Sequence, residues 1–135
     1  MVPGRIFRTG LLVMATSLVL IIGCKKENDP RVPPAMAFKT GAGYTSADDT
    51  VGMQDTVLIG VVIDKTEDPL TSLNESRAYD GGGSTTLENI PISGTHFEHD
   101  HSVITRAQAG TERYTFSVID RDGNITTNNI LLTVQ

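Results

Sequence analysis

The sequence predicts an all-β protein, a single antiparallel sandwich of about seven short strands. Three observations carry that prediction. From Ala35 onward apolar residues recur with a period of two, and no window of eleven or more residues shows a helical apolar stripe. Clusters of Gly, Pro, Asp and Asn interrupt the chain about every eight to twelve residues, the spacing of a sandwich. The whole chain is 135 residues, enough for one small domain and not two.

The first element is not part of that sandwich. Arg5 and Arg8 precede an apolar run from Leu11 to Ile22, broken only by Thr16 and Ser17, and Gly23-Cys24 follows at once. A short cationic segment, a twelve-residue apolar run and a small-residue end describe a secretory signal peptide, and the run is short for a spanning helix. Ile21-Ile22-Gly23-Cys24 resembles the lipobox of bacterial lipoproteins, although such motifs prefer Leu where Ile21 stands. The resemblance implies cleavage between Gly23 and Cys24, lipidation of Cys24, and attachment of the mature chain to a membrane through that lipid. Residues 1–23 then form the signal peptide, residues 24–34 the lipidated Cys with a flexible tether, and residues 35–135 the domain.

Loss of residues 1–23 would leave 112 residues carrying 9 Lys+Arg against 16 Asp+Glu, a formal charge of −7. A surface that acidic repels nucleic acid and anionic lipid, so the expected membrane partner is reached through acyl chains and not through charge. Cys24 is the only cysteine, so the domain has no disulfide and holds by packing alone. Lys25 to Pro34 contains three prolines and five charges in ten residues, an extended tether with a reach of at most about 35 Å. In lipoproteins an Asp after the Cys tends to retain the protein at the inner membrane. Lys25 in its place points to the outer membrane. The charged run after Cys24 resembles signals that export lipoproteins of some Gram-negative bacteria to the cell surface; otherwise the domain faces the periplasm.

Within the domain, Ala35 to Lys39 reads as a short strand followed by the Gly41-Ala42-Gly43 connection. Asp55 to Lys65 is the strongest strand, with Val57, Ile59, Val61 and Ile63 on one face, and Asp68-Pro69 ends it. Leu70 to Tyr79 is a weaker strand whose faces the pattern does not assign. Gly81-Gly82-Gly83 makes a turn, and Thr85 to Ile92 reads as an edge strand because Pro91 cannot donate to a ladder. His101 to Gln108 is the next strand. Arg113 to Asp120 alternates cleanly, with Tyr114, Phe116 and Val118 on one side, and Asp122-Gly123 turns the chain into Asn129 to Val134.

The run from Gly110 through Tyr114, Phe116, Val118 and Asp120 to Asp122-Gly123-Asn124 is similar to the last two strands of immunoglobulin-like domains in bacterial surface lipoproteins. The resemblance implies an immunoglobulin-like sandwich, with Tyr114 at the tyrosine-corner position, its ring in the core and its hydroxyl bonded to backbone. The chain has no Trp and no cysteine pair, which excludes an antibody-type core, and it lacks the Trp-Asp-Phe-Gly-Asp motif of polycystic-kidney-type repeats.

Candidate chemistry is sparse. His96-Phe97-Glu98-His99-Asp100-His101 gathers all three histidines of the chain, a composition that suits a metal site. On a strand, however, His99 and His101 share one face and His96 takes the other, and two ligands without an identifiable third read first as a solvated, polar strand end, with a metal site as the alternative. Asp120 to Asn124 lacks the Gly and Glu of a calcium loop, having Ile125 and Leu131 at the sixth and twelfth positions. Asp48, Asp49 and Asp55 read as turn carboxylates. Tyr44 and Tyr79 are the available sugar-stacking platforms. Asp49-Thr50-Val51 and Asp55-Thr56-Val57 resemble a short O-glycosylation acceptor pattern of some Gram-negative envelope proteins, with Thr50, read as a loop residue, the better acceptor and Thr56 the poorer. No nucleophile elbow, phosphate loop or dinucleotide fingerprint occurs, and the sequence calls for no cofactor. The expectation is a non-catalytic envelope lipoprotein engaged in surface binding, adhesion or assembly, with a protein or glycan ligand. The alternative is an accessory carbohydrate- or metal-binding module of a surface nutrient-uptake system.

Overall fold

The computed structural model describes residues 30–135. The expected signal segment, its Gly23-Cys24 cleavage junction and the expected lipidation at Cys24 lie outside the described residues. Eight strands follow in order: β1 (Ala35–Phe38), β2 (Asp49–Val51), β3 (Thr56–Asp64), β4 (Leu70–Tyr79), β5 (Ser84–Gly94), β6 (His96–Ile104), β7 (Gly110–Asp120) and β8 (Ile125–Val134). They form two facing sheets, one ordered β1-β3-β6 and the other β2-β8-β7-β4-β5. The fold is an all-β, immunoglobulin-like sandwich, as the period of two indicated.

Alternation builds the core. On β3, Val57, Ile59, Val61 and Ile63 are buried, and they face Leu73 on β4, Tyr114, Phe116 and Val118 on β7, and Ile130 and Leu132 on β8. Full burial of one such aliphatic side chain contributes about 1.5–3 kcal/mol, and these rows are the domain's substitute for a disulfide. Phe38 of the small sheet meets Phe116 of the large one edge to face, with centroids 5.9 Å apart. At this margin the sheets are also tied by polar contacts: Thr126 Oγ1 donates to the Pro34 carbonyl at 2.5 Å and Asn128 Nδ2 to the Met36 carbonyl at 2.9 Å.

Several boundaries differ from the sequence reading, each for a local reason. The strand expected from His101 to Gln108 is β6, which begins five residues earlier, at His96, and ends at Ile104. Its outer face is polar, so hydropathy alone hid it; Lys39 Nζ secures that face, bridging Glu98 at 2.8 Å and Asp100 at 2.9 Å. Short β2 is an eighth strand where a loop was expected, and it pairs with β8 in parallel, so the sandwich is not wholly antiparallel. At the end of the segment read as a tether, Thr66 Oγ1 donates to the carbonyls of Val32 and Pro33 and fastens these two residues to the domain. Between β7 and β8, Asp120 Oδ1 accepts the backbone N–H groups of Asp122 and Asn124, confirming a turn-forming role for that run.

Candidate metal centre

The inner face of β4 carries Leu73 and then Glu75, which is 1% exposed. A carboxylate in that row lies between the sheets, directly opposite Glu88 on β5 and Phe116 on β7. After the Glu75–Glu88 pair the β4–β5 register slips, Ser76 pairing with Thr86, so that Leu87 is an extra residue. Bulges of this kind re-aim neighbouring side chains and recur beside functional sites. From the other sheet, the inner row of β6 is Phe97, His99, His101 and Val103, in register with Ile63, Val61, Ile59 and Val57 of β3. The two imidazoles thus enter the seam across from Glu75.

There they converge. His99 Nε2 lies 2.9 Å from Glu75 Oε1, and His101 Nδ1 lies 2.9 Å from Glu75 Oε2. One donor atom from each of Glu75, Glu88, His99 and His101 falls within 4.8 Å of all the others. Burial grades outward: the Glu75 side chain is 2% exposed, those of His99 and His101 19% and 22%, and Glu88 is exposed. Despite the short separations, neither oxygen of Glu75 has a hydrogen-bond partner, and neither has His99 Nε2. The imidazole nitrogens and the Glu75 oxygens thus lie side by side without hydrogen bonding to one another.

The electrostatics agree. Two carboxylates directly opposite on one sheet face repel, and burying either without compensation is costly. Burial, and secondarily the charge of Glu88, push the Glu75 carboxyl up to about 7. Burial is the main cause that depresses His101, with the nearby Glu88 carboxylate opposing it. Neutral imidazoles with two carboxylates form a donor set of charge −2, which a divalent cation would neutralise. Ring stacking restrains the imidazoles, since Phe97 lies nearly parallel to His99 at 6.3 Å. Two nitrogens and two carboxylate oxygens suit Zn²⁺ and neighbouring transition ions, whereas Ca²⁺ prefers oxygen ligands alone. A tetrahedral ion with bonds near 2.0–2.1 Å would hold its donors about 3.4 Å apart, within the span found here.

The sequence named His96, His99 and His101; the structure unites the last two and sends His96 elsewhere. Its Nδ1 is 2.6 Å from Asp64 Oδ1 on the exposed face, and that carboxylate, then Glu98, raises its pKa. Glu75 and Glu88 were missed, and the discernible signal was a Glu two residues after Leu73 in a strand with unassigned faces. Tyr114 is buried as the tyrosine-corner resemblance implies, but its hydroxyl donates to Glu112 Oε2 at 2.6 Å and not to backbone. Glu112 is itself fully buried, which makes it the stronger acceptor. Tyr44 and Tyr79 are both half-buried: Tyr44 lies over Gly60 and donates to Asp100, and the Tyr79 ring is met by the guanidiniums of Arg77 and Arg106 at 4.5 and 4.8 Å. Asp49 and Asp55 accept the backbone N–H of the residue that follows each, Thr50 and Thr56, but Asp49 stands in β2 and not in a turn, and Asp48 reaches across to accept the backbone N–H of Leu131 on β8. Thr50 and Thr56 are both exposed, but Thr50 stands in β2 and not in a loop.

No protein-family model matches the sequence, nor does any curated protein. Solved structures do match. The CARDB domain of a Pyrococcus furiosus protein, determined in complex with di-metal ions, is 15% identical, with a TM-score of 0.51 over 76% of this chain and 87% of that one. A family 123 glycoside hydrolase from Clostridium perfringens is 6% identical at TM-score 0.51, the match covering 77% of this chain but only 27% of the enzyme. These likenesses establish the immunoglobulin-like fold.

Proposed function

We propose that this chain is a non-catalytic binding module of the bacterial envelope and that its ligand is a divalent transition-metal ion held by Glu75, His99, His101 and Glu88. The observation that carries the reading is the buried Glu75 carboxylate, approached at 2.9 Å by two imidazole nitrogens with no hydrogen bond made. A fold shared with a CARDB domain that was determined with di-metal ions is consistent with metal binding on such a framework. The lipobox-like segment supports attachment through lipid on Cys24, at the outer membrane and facing outward, where a tethered module could hold metal for a nutrient-uptake system.

The test is calorimetric titration of EDTA-stripped protein with Zn²⁺. One ion per chain should bind, and Glu75→Gln, which keeps the shape but removes the charge, should weaken binding at least about 10-fold, the usual scale for a disturbed ligand shell. Co²⁺ should give the absorption of a low-symmetry, four- or five-coordinate site. Equal Zn²⁺ affinity in wild type and Glu75→Gln would overturn the assignment.

A further inference from the structure

We propose that the ion at this centre is a clasp between the two sheets at the β6 margin of the sandwich; the inference rests on the metal-binding reading above. The ligands are divided between layers. Glu75 and Glu88 belong to adjacent strands of the five-stranded sheet, whereas His99 and His101 belong to β6, the edge of the three-stranded sheet. A bound ion would therefore join β4 and β5 to β6 through four bonds.

The two margins of the sandwich are built differently. At the β1 side the sheets are joined by Phe38 on Phe116 and by the Thr126–Pro34 and Asn128–Met36 hydrogen bonds. At the β6 side, Arg106 just beyond the strand is bonded to Asp80 and Glu112, but within β6 itself the polar approach across the seam is that of the two imidazoles to Glu75, and it makes no hydrogen bond. Without an ion, this margin holds the buried Glu75 side chain facing Glu88 and two imidazoles with no hydrogen bond to hold them together. With an ion, the same four groups attract a common centre. The chain crosses between the sheets at Thr95, between β5 and β6, so the clasp would close a loop already pinned at that end. Disulfides that join the two sheets of a sandwich serve the same purpose, and this domain has no cysteine with which to make one.

The clasp differs from ordinary ligand stabilisation in where it acts. Any ion that binds only the folded state raises the melting temperature by mass action. A clasp must in addition suppress local separation of β6 from β4 and β5. The experiment measures amide hydrogen exchange of EDTA-treated and Zn²⁺-saturated wild-type protein under native conditions, with calorimetric titration on the same samples. Zinc should slow exchange of peptides spanning 70–79 and 96–104 together, by at least about 10-fold more than peptides spanning 110–134, and raise the Tm by on the order of 10 °C. One-to-one zinc binding with protection confined to 70–94, or spread evenly over the domain, would overturn the clasp and leave the metal site standing. Absence of zinc binding would overturn both.

Discussion

At the scale of the residue, the polar groups placed inside the sandwich fall into two kinds. Glu112 is fully buried and satisfied: its carboxylate accepts from the Arg106 backbone N–H at 2.8 Å and from the Tyr114 hydroxyl at 2.6 Å. Glu75 is buried and has no hydrogen-bond partner. The first is architecture and the second points to a ligand. Tyr114→Phe removes one donor from a buried carboxylate and should cost about 1–3 kcal/mol. Tyr114→Ala opens a cavity as well and should cost about 3–5 kcal/mol. Urea midpoints read both, and unchanged midpoints would show that the Glu112 contact carries no stability. The tyrosine was legible in the sequence because an aromatic in a clean alternation has one place to go. Its partner was not, since an acidic residue two positions away ordinarily points to the same face only to reach solvent at the strand's end.

At the scale of the element, legibility followed the contrast between a strand's two faces. β3 and β7 could be read directly, because each buries a row of apolar residues. β4 could not, since its inner row passes from Leu73 to Glu75 and on to Arg77 and Tyr79, and a polar inner row has no hydropathy signature. The metal centre inherits that asymmetry. His99 and His101 share a face by simple alternation, but Glu75 and Glu88 meet them only through the pairing of β4 with β5 and the facing of two sheets, neither of which is written locally. The β4–β5 turn offers a separate test. Asp80, at φ 52°, receives both guanidinium nitrogens of Arg106 and the backbone N–H of Thr111, and these bonds hold its carboxyl down at about 2. A depressed carboxyl contributes stability that is complete above its unfolded value near 4 and is lost as pH falls through about 2. Asp80→Asn tolerates the same backbone conformation, so it should lower the Tm at pH 7 by a few degrees. That difference should shrink to nothing as the pH is lowered through about 2, and a gap that persists there would show that the charge is not what matters.

At the scale of the whole molecule, the fold class and the position of most strands were available from periodicity, and the sheet order was not, because it depends on contacts between distant parts of the chain. The proposed anchoring is tested at this scale too. Cys24→Ser should move the protein from the detergent phase to the aqueous phase, since oxygen cannot form the thioether that holds diacylglycerol. Intact mass of protein from its native host should show lipid on Cys24, and any further mass in hexose-sized steps should map to Thr50 before Thr56; a mass explained by residues 24–135 and lipid alone would rule the glycan out. The pairing of β2 with β8 has a consequence in time. Asp48 accepts the backbone N–H of Leu131, 83 residues away, and Thr126 and Asn128 reach back 92 residues to Pro34 and Met36. β1 can pair with β3 early, but β2, whose strand partner is β8, cannot pair until β8 has been synthesised. Folding dominated by such distant closures takes milliseconds to seconds, so the chain spends its early life as an unfolded thread, the form in which a polypeptide can still be passed through a membrane channel.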